Sequence, residues 1–173
     1  AVTGTLAGDT ATFANNVTLG DGTTDIHTLN GRLNSGTGQP AFLAYNGITD
    51  VDVGQTATVD FDGEVYDTAT NFALDTFTAP VDGRYLLCTQ VSVIPNTTSQ
   101  FRVNIVTSNR TYHLTRVITT TSQISIGGCA IADMENLDTA TVEFGAISAV
   151  TDADIEGDGA TALRTFFTGR LVP

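Results

Sequence analysis

The sequence predicts an all-β protein in which two antiparallel sheets pack face to face. Short alternations of apolar and polar residues recur along most of the 173 residues, separated by Gly, Asn, Asp and Pro. Threonine is frequent, with Val, Ile and Phe beside it, and these residue types favour strands. Helical periodicity is almost absent. About ten short strands at this spacing are typical of an antiparallel sandwich.

The N-terminal part of the chain differs from the rest and predicts a stalk. Residues 1–33 contain short apolar runs separated by turn signals such as Gly20-Asp21-Gly22 and Asn30-Gly31. A single copy could bury little apolar surface, so we expect these runs to pack between chains that wrap together. The residues expected to pack in the stalk are Phe13, Val17, Leu19, Ile26 and Leu29. A disordered tail is the alternative for so polar and Gly-rich a segment.

A linker and a head domain follow the predicted stalk. Residues 34–40 read NSGTGQP, a composition that gives no reason for regular structure. The head then covers residues 41–173, and its first strand is expected at 41–46. The stretch 56–61 alternates cleanly, and in the stretch 85–93 every second residue shares one face. Further candidates for the core are Phe72, Leu74, Phe77 and Val81.

Two stretches of the head resemble the globular head domain of the C1q/TNF-like family. They read FDGEVYDTATNFALDTFTAPVDGRYLL at residues 61–87 and FFTGRLVP at residues 166–173. The resemblance sharpens the predicted sandwich to a C1q/TNF-like jelly roll that assembles as a homotrimer. The residues that it places in the core or the trimer interface are Phe42, Tyr45, Tyr85, Leu87, Phe144 and Phe167.

The charge and hydropathy of the chain argue against two kinds of partner. The formal net charge is −12, and all seven basic residues are arginine. Because so acidic a chain repels phosphate backbones, we expect no nucleic-acid partner. No apolar stretch is long enough to span a membrane, so we expect no membrane insertion. No signal peptide is visible at the N-terminus.

The cysteines and histidines form no recognisable catalytic or zinc motif. Cys88 and Cys129 each lie in an apolar, strand-like run, which indicates buried thiols, while a disulfide between them stays open. His27 lies in the predicted stalk, and His113 lies at a polar strand edge or in a loop. Neither a GxSxG pattern nor a P-loop accompanies them. We therefore predict a protein without enzymatic activity.

The acidic stretch TDADIEGDGA at residues 151–160 is the candidate cation site. Carboxylates alternate along it, with glycines that allow tight bending, and Ca²⁺ favours such clusters of oxygen ligands. The spacing does not match an EF-hand loop. The candidate calcium ligands are Asp152, Asp154, Glu156 and Asp158. The alternative is a solvated loop at the end of the head, and apart from calcium we expect no cofactor.

The N-terminal phrase GDTATFANNVTLGDGTTDIHTLNG, residues 8–31, resembles stalk segments of bacteriophage tail fibres and spikes. This resemblance implies a phage virion structural protein, a homotrimeric fibre or spike on the particle surface. Its N-terminus would attach to other virion proteins of the capsid or tail. Its head would adhere to a glycan or protein of the host surface. The alternatives are a trimeric capsid decoration (cement) protein and a secreted C1q-like lectin or signalling ligand.

Overall fold

A computed structural model describes most of the predicted head. The described residues are 39–50, 53, 56–68, 70–119, 122–146 and 153–172. All of them belong to Ser35–Pro173, the second of the two units into which the chain divides. The predicted stalk and its five packing residues lie outside the described residues, as does most of the predicted linker. The proposed domain boundaries therefore stay predictions.

The described chain contains twelve β-strands, and no helix occurs in the ranges given above. Several strands are only two or three residues long, which is why the sequence pattern indicates fewer. No described helix, accordingly, is long and apolar enough to cross a membrane. The strands are β1 Ala41–Tyr45, β2 Thr56–Thr58, β3 Gly63–Asp67, β4 Phe72–Ala73, β5 Thr76–Thr78, β6 Gly83–Pro95, β7 Ser99–Thr107, β8 Thr111–Thr119, β9 Ile124–Met134, β10 Thr139–Ala146, β11 Ala153–Ile155 and β12 Phe166–Val172.

The strands form two six-stranded sheets in which every pairing is antiparallel. The first sheet has the order β11-β6-β12-β1-β3, and β9 pairs with the other edge of β6. The second sheet has the order β4-β5-β10-β7-β8, and β2 also pairs with β10. Consecutive strands thus often lie in different sheets, as a jelly roll requires.

The core is built from the inward faces of both sheets, and phenylalanines dominate it. The ring of Phe42 stacks on Phe72 and Phe77, with centroids 5.0 and 4.8 Å apart, and meets the edge of Phe167 at 5.0 Å. Aromatic pairs at these distances stabilise a core beyond the area they bury. Buried Tyr85 keeps its hydroxyl satisfied by donating to the carbonyl oxygen of Val81 at 2.8 Å, and burial raises the pKa of this phenol.

The turn between β4 and β5 explains why one predicted core residue is exposed. Leu74 and Asp75 both have positive φ angles, 49° and 63°, which is the conformation of a two-residue hairpin turn. Leu74 is 93% exposed at its tip, while its neighbours Phe72 and Phe77 are buried as predicted. Val81, in the turn before β6, is also largely exposed. The prediction of a core position was therefore wrong for Leu74 and Val81.

Cys88 and Cys129 are joined by a disulfide, so the prediction of two buried thiols was wrong. The two residues lie directly opposite each other on β6 and β9, with their Cα atoms 4.1 Å apart. Cys88 is half-buried and Cys129 is exposed, because both point away from the core. The disulfide therefore ties an edge strand to the centre of the first sheet from the outside.

Candidate functional site

The candidate functional site is the outward side of the first sheet, which we call the open face. Along β1 and β12 the alternate residues Phe42, Ala44 and Phe167 point into the core and are fully buried. Their neighbours point the other way, because side chains alternate along a strand. The same alternation on β6 buries Tyr85 and Leu87 and turns the residues between them outward. No described strand covers this side of the sheet.

Strand register arranges the centre of the open face in three rows that cross the sheet, and Arg84 with Asp133 on one side and Ser92 with Ser125 on the other flank them. The first row runs Tyr66, Leu43, Thr168, Cys88, Cys129. The second row runs Ala41, Arg170, Leu86, Ile131, and the third runs Gly63, Tyr45, Phe166, Gln90, Gly127. Apolar residues and the disulfide predominate in the first two rows, and the third row carries the aromatic side chains of Tyr45 and Phe166.

The open face has exposed apolar side chains, a cavity and a closely packed tyrosine ring. Ile131 is 59% exposed and Tyr66 is 45% exposed, values that are high for large apolar side chains on a strand. A cavity of about 180 Å³ lies beside the disulfide, lined in part by Tyr66, Leu86 and Arg170. The ring of Tyr45 lies over Gly63, where any Cβ would overlap it. Exposed apolar patches of this kind mark interaction surfaces.

Of the six residues expected in the core or the trimer interface, the structure places five in the core and one on the open face. Phe42, Tyr85, Leu87, Phe144 and Phe167 are fully buried within one chain. Tyr45 is half-buried on the open face. The sequence pattern did not separate the two roles, because both faces of this sheet carry apolar residues.

An arginine binds two of the four predicted calcium ligands. Arg164 contacts Glu156 through Nη1 at 2.8 Å and Asp158 through Nε at 2.7 Å. Ser92 also donates its hydroxyl to Glu156, at 2.9 Å. A divalent cation on these carboxylates would have to displace the guanidinium group.

The other two predicted calcium ligands do not complete a metal site in the structure. Asp154 lies in β11, and Asp152 lies outside the described residues. Among the residues that the structure describes, no group of three or more His, Cys, Asp or Glu side chains could hold a metal ion. The calcium site stays a prediction, since it depends on Asp152.

A second group of carboxylates lies around the ends of β1 and β3. Burial raises the pKa of Asp50, although Asn46 donates to it at 2.7 Å, and the charges of Asp62 and Asp75 raise it further. Partial burial also raises the pKa of Asp60, and both the charge of Asp75 and a hydrogen bond with it act in the same direction. These carboxylates therefore repel one another at neutral pH.

Replacing Asp60 with asparagine should stabilise the head at neutral pH by roughly 0.5 kcal/mol, a small value because the residue is exposed to solvent. The folded state binds a proton at Asp60 more tightly than the unfolded chain does. The repulsion therefore fades as the pH falls through the raised pKa, and the gain of D60N should vanish below the ordinary aspartate value of 3.8. Thermal denaturation of both proteins between pH 7 and pH 3 measures this. Asp133→Asn is the control, because it removes one negative charge from β9. An equal gain in stability from that variant would attribute the effect to net charge and not to the repulsion around Asp60.

Only one of the two histidines considered as bases lies among the described residues. His27 lies outside the described residues. His113 lies on β8, exposed on the outward side of the second sheet, where its Nδ1 is 2.8 Å from Asn104 Oδ1. No described Ser or Cys hydroxyl or thiol forms a hydrogen bond with it.

Comparison with solved structures identifies the architecture. The globular domain of zebrafish complement 1qA protein matches with a TM-score of 0.58 and 18% identity, over 78% of this chain and 98% of that one. Two crystal structures of murine APRIL, at pH 8.5 and pH 8.0, match with TM-scores of 0.53 and 0.55. They are 17% and 16% identical, and each match covers 78% of this chain and 99% of APRIL.

The head is a C1q/TNF-like jelly roll. The predicted fold class is therefore confirmed, together with the resemblance of the head to this group of domains. No protein-family model matches the sequence, and no curated protein matches it either. Identity this low shows the fold of the jelly roll and leaves its function to be argued from its surfaces.

Proposed function

We propose that this protein is a non-enzymatic structural protein of a bacteriophage virion. It forms a homotrimer whose N-terminal stalk attaches to other virion proteins and whose heads project from the particle surface. The heads adhere to the host surface. Three heads on one axis strengthen a weak individual contact, because the second and third binding events become intramolecular.

The open face is the observation that carries the proposed assembly. It combines two mostly apolar rows with a third that carries Tyr45 and Phe166, on a side of the sheet that no described strand covers. In a soluble monomer, so large an apolar face would be exposed to water, at a cost of about 25 cal/mol for each Å². Packing three open faces around an axis removes that surface from water. The residues with most to bury are Leu43, Tyr66, Leu86, Ile131 and Phe166.

The sequence of residues 1–33 supports the virion part of the proposal. Its short apolar runs and regular turn signals suit a segment that becomes stable only when several chains wrap together. Its likeness to phage fibre stalks is the reason for choosing a virion over a secreted ligand. The net charge of −12 suits a protein displayed in solvent, since it favours solubility.

The mass of the purified protein in solution tests the assembly. We expect light scattering to give three times the mass of one chain, which is 18.1 kDa for the full chain, and again three times the smaller mass of the chain after removal of residues 1–38. A monomer in both forms would overturn the proposal. A trimer that survives only in the full chain would place assembly in residues 1–38 and not in the open face.

Antibodies against residues 39–173 test whether the head is displayed on the surface of phage particles that carry this chain and whether it adheres to the host. We expect them to label the outside of intact particles in electron micrographs and to block adsorption to host cells. Labelling without any effect on adsorption would favour a capsid decoration protein. The absence of the chain from purified particles would contradict a virion role altogether.

A further inference from the structure

The outward side of the second sheet carries a pocket that concentrates positive charge on an acidic protein. Its volume is about 410 Å³, and we call it the arginine pocket. Two of the seven arginines of the chain line it, on strands β7 and β8. The lining residues are Arg102, Asn104, His113, Leu114, Thr115 and Arg116.

Two rows of side chains build the arginine pocket across β10, β7 and β8. In one row, Glu143 lies opposite Asn104, and Asn104 lies opposite His113. In the next row, Gly145 lies opposite Arg102, and Arg102 lies opposite Arg116. Like charges directly opposite each other destabilise a sheet, so placing two arginines here needs a compensating reason.

A β-bulge brings His113 to this side of the sheet. The register of β7 and β8 shifts between Val103 and Asn104, so that Thr115 pairs with Val103 while His113 pairs with Asn104. Leu114 is the extra residue. Without it, strict alternation would turn His113 toward the core when Arg116 points outward. Bulges of this kind often re-aim side chains next to functional sites.

A buried asparagine fixes the orientation of the histidine ring. Asn104 is 2% exposed, and its Nδ2 donates to Glu143 Oε1 at 2.8 Å. Its Oδ1 therefore faces His113 Nδ1, which donates across 2.8 Å. The opposite ring nitrogen, Nε2, is then the one that can meet a ligand.

The guanidinium groups retain donor capacity after their contacts within the protein. Arg102 lies 3.5 Å from Glu143, which is longer than a hydrogen bond. Its Nε is buried without a partner among the described residues, so the donors that an anion can reach are those of Nη1 and Nη2. Arg116 donates through Nη2 to Gln100. An arginine has five N–H donors, so most of those in the pocket are available to an anion.

The charge balance and the walls of the pocket select the ligand. Arg102 and Arg116 both line the pocket, and the carboxylate beside them is Glu143, 3.5 Å from Arg102. The site therefore has a surplus of one positive charge and suits a singly charged anion better than a phosphate. Planar carboxylates match the fork of an arginine. Leu114 lines the pocket while its side chain also packs against the core beside Gly128, and the volume lies within the usual range for small-molecule sites.

We propose that the arginine pocket binds the carboxylate of a single acidic sugar residue. Arg116 and Arg102 hold the carboxylate, and His113 together with Leu114 contacts the ring. The carboxylate assignment stands on the geometry of the pocket. The choice of a sugar as its carrier rests on the proposed attachment to a host surface.

Ligand titrations on the full chain, followed by NMR at constant ionic strength, test this site. The probes are the methyl glycoside of glucuronic acid, methyl glucoside, acetate and inorganic phosphate. We expect saturable binding of the glucuronide, tighter than that of acetate and phosphate, and no binding of the neutral glucoside. Removing one charge-assisted contact with Arg116→Gln should weaken binding about tenfold or more.

Arg110→Gln is the matched control, because it removes the same charge from the turn between the same two strands. It should leave the affinity unchanged, and equal weakening by both variants would overturn the location. Arg102→Gln replaces Arg116→Gln if the latter does not fold. Binding of acetate as tight as that of the glucuronide would overturn the assignment of the ligand as a sugar. Binding of phosphate tighter than that of the glucuronide would overturn the assignment of a singly charged ligand. The absence of saturable binding would overturn the site, while the mass of the same samples reports separately on the trimer.

Discussion

Replacing Phe167 with alanine should lower the free energy of unfolding by about 4 kcal/mol, which is a large share of the stability of a domain this size. Phe167 is fully buried on β12. Its ring meets those of Phe42, Phe61 and Phe72 at centroid distances of 5.0, 5.9 and 6.2 Å. The truncation removes these contacts and leaves a cavity that both sheets border. Denaturant unfolding of the purified proteins measures the loss.

Phe166→Ala is the matched control, because it truncates the same residue type one position earlier on the same strand. Phe166 lies between Tyr45 and Gln90 on the open face, so its removal leaves the core intact. We expect a smaller loss that depends on protein concentration, since Phe166 would stabilise the trimer and not the single chain. A loss in F166A as large as in F167A, and independent of concentration, would contradict the assignment of the two faces.

Alternation predicted most of the buried face of the long central strand. Tyr85, Leu87, Thr89, Val91 and Val93 share one side of the pattern, and all five are buried. This works because successive side chains of a strand must point to opposite faces, whatever the tertiary structure. The same rule fails where the chain turns, and Leu74 is an example. Its Leu-Asp turn lacks the Asn-Gly chemistry that normally reveals a two-residue hairpin.

Features that depend on register could not be predicted from single strands. Cys88 and Cys129 are 41 residues apart, and only the pairing of β6 with β9 shows that they face each other. The arginine pocket was missed for the same reason. In the sequence, Arg102 and Asn104 alternate with Phe101, Val103 and Ile105, which places them on the outward face. The bulge at Leu114 decides which residues of β8 join them. A one-residue change of register moves every side chain to the other face.

Ile131→Asp should convert the proposed trimer into monomers. Ile131 lies on β9 opposite Leu86 and is 59% exposed on the open face. In a trimer built on that face, each chain would bury an aspartate carboxylate directly opposite Leu86, while the nearby Arg84 already lies opposite Asp133. Burial of a charge without a direct partner costs several kcal/mol, and a trimer carries that cost three times. Light scattering of the protein without residues 1–38 should then give a single-chain mass, with an unchanged β-sheet circular dichroism spectrum.

Ile118→Asp separates this effect from a general response to a new charge. Ile118 is also an exposed isoleucine on an edge strand, 71% accessible on β8, but it lies on the outward side of the second sheet. We expect I118D to remain a trimer, because that side faces solvent in the proposed assembly. If I131D stays trimeric after residues 1–38 are removed, the open face is not the interface. If I118D alone dissociates, the second sheet forms the interface, and the arginine pocket would lie between subunits.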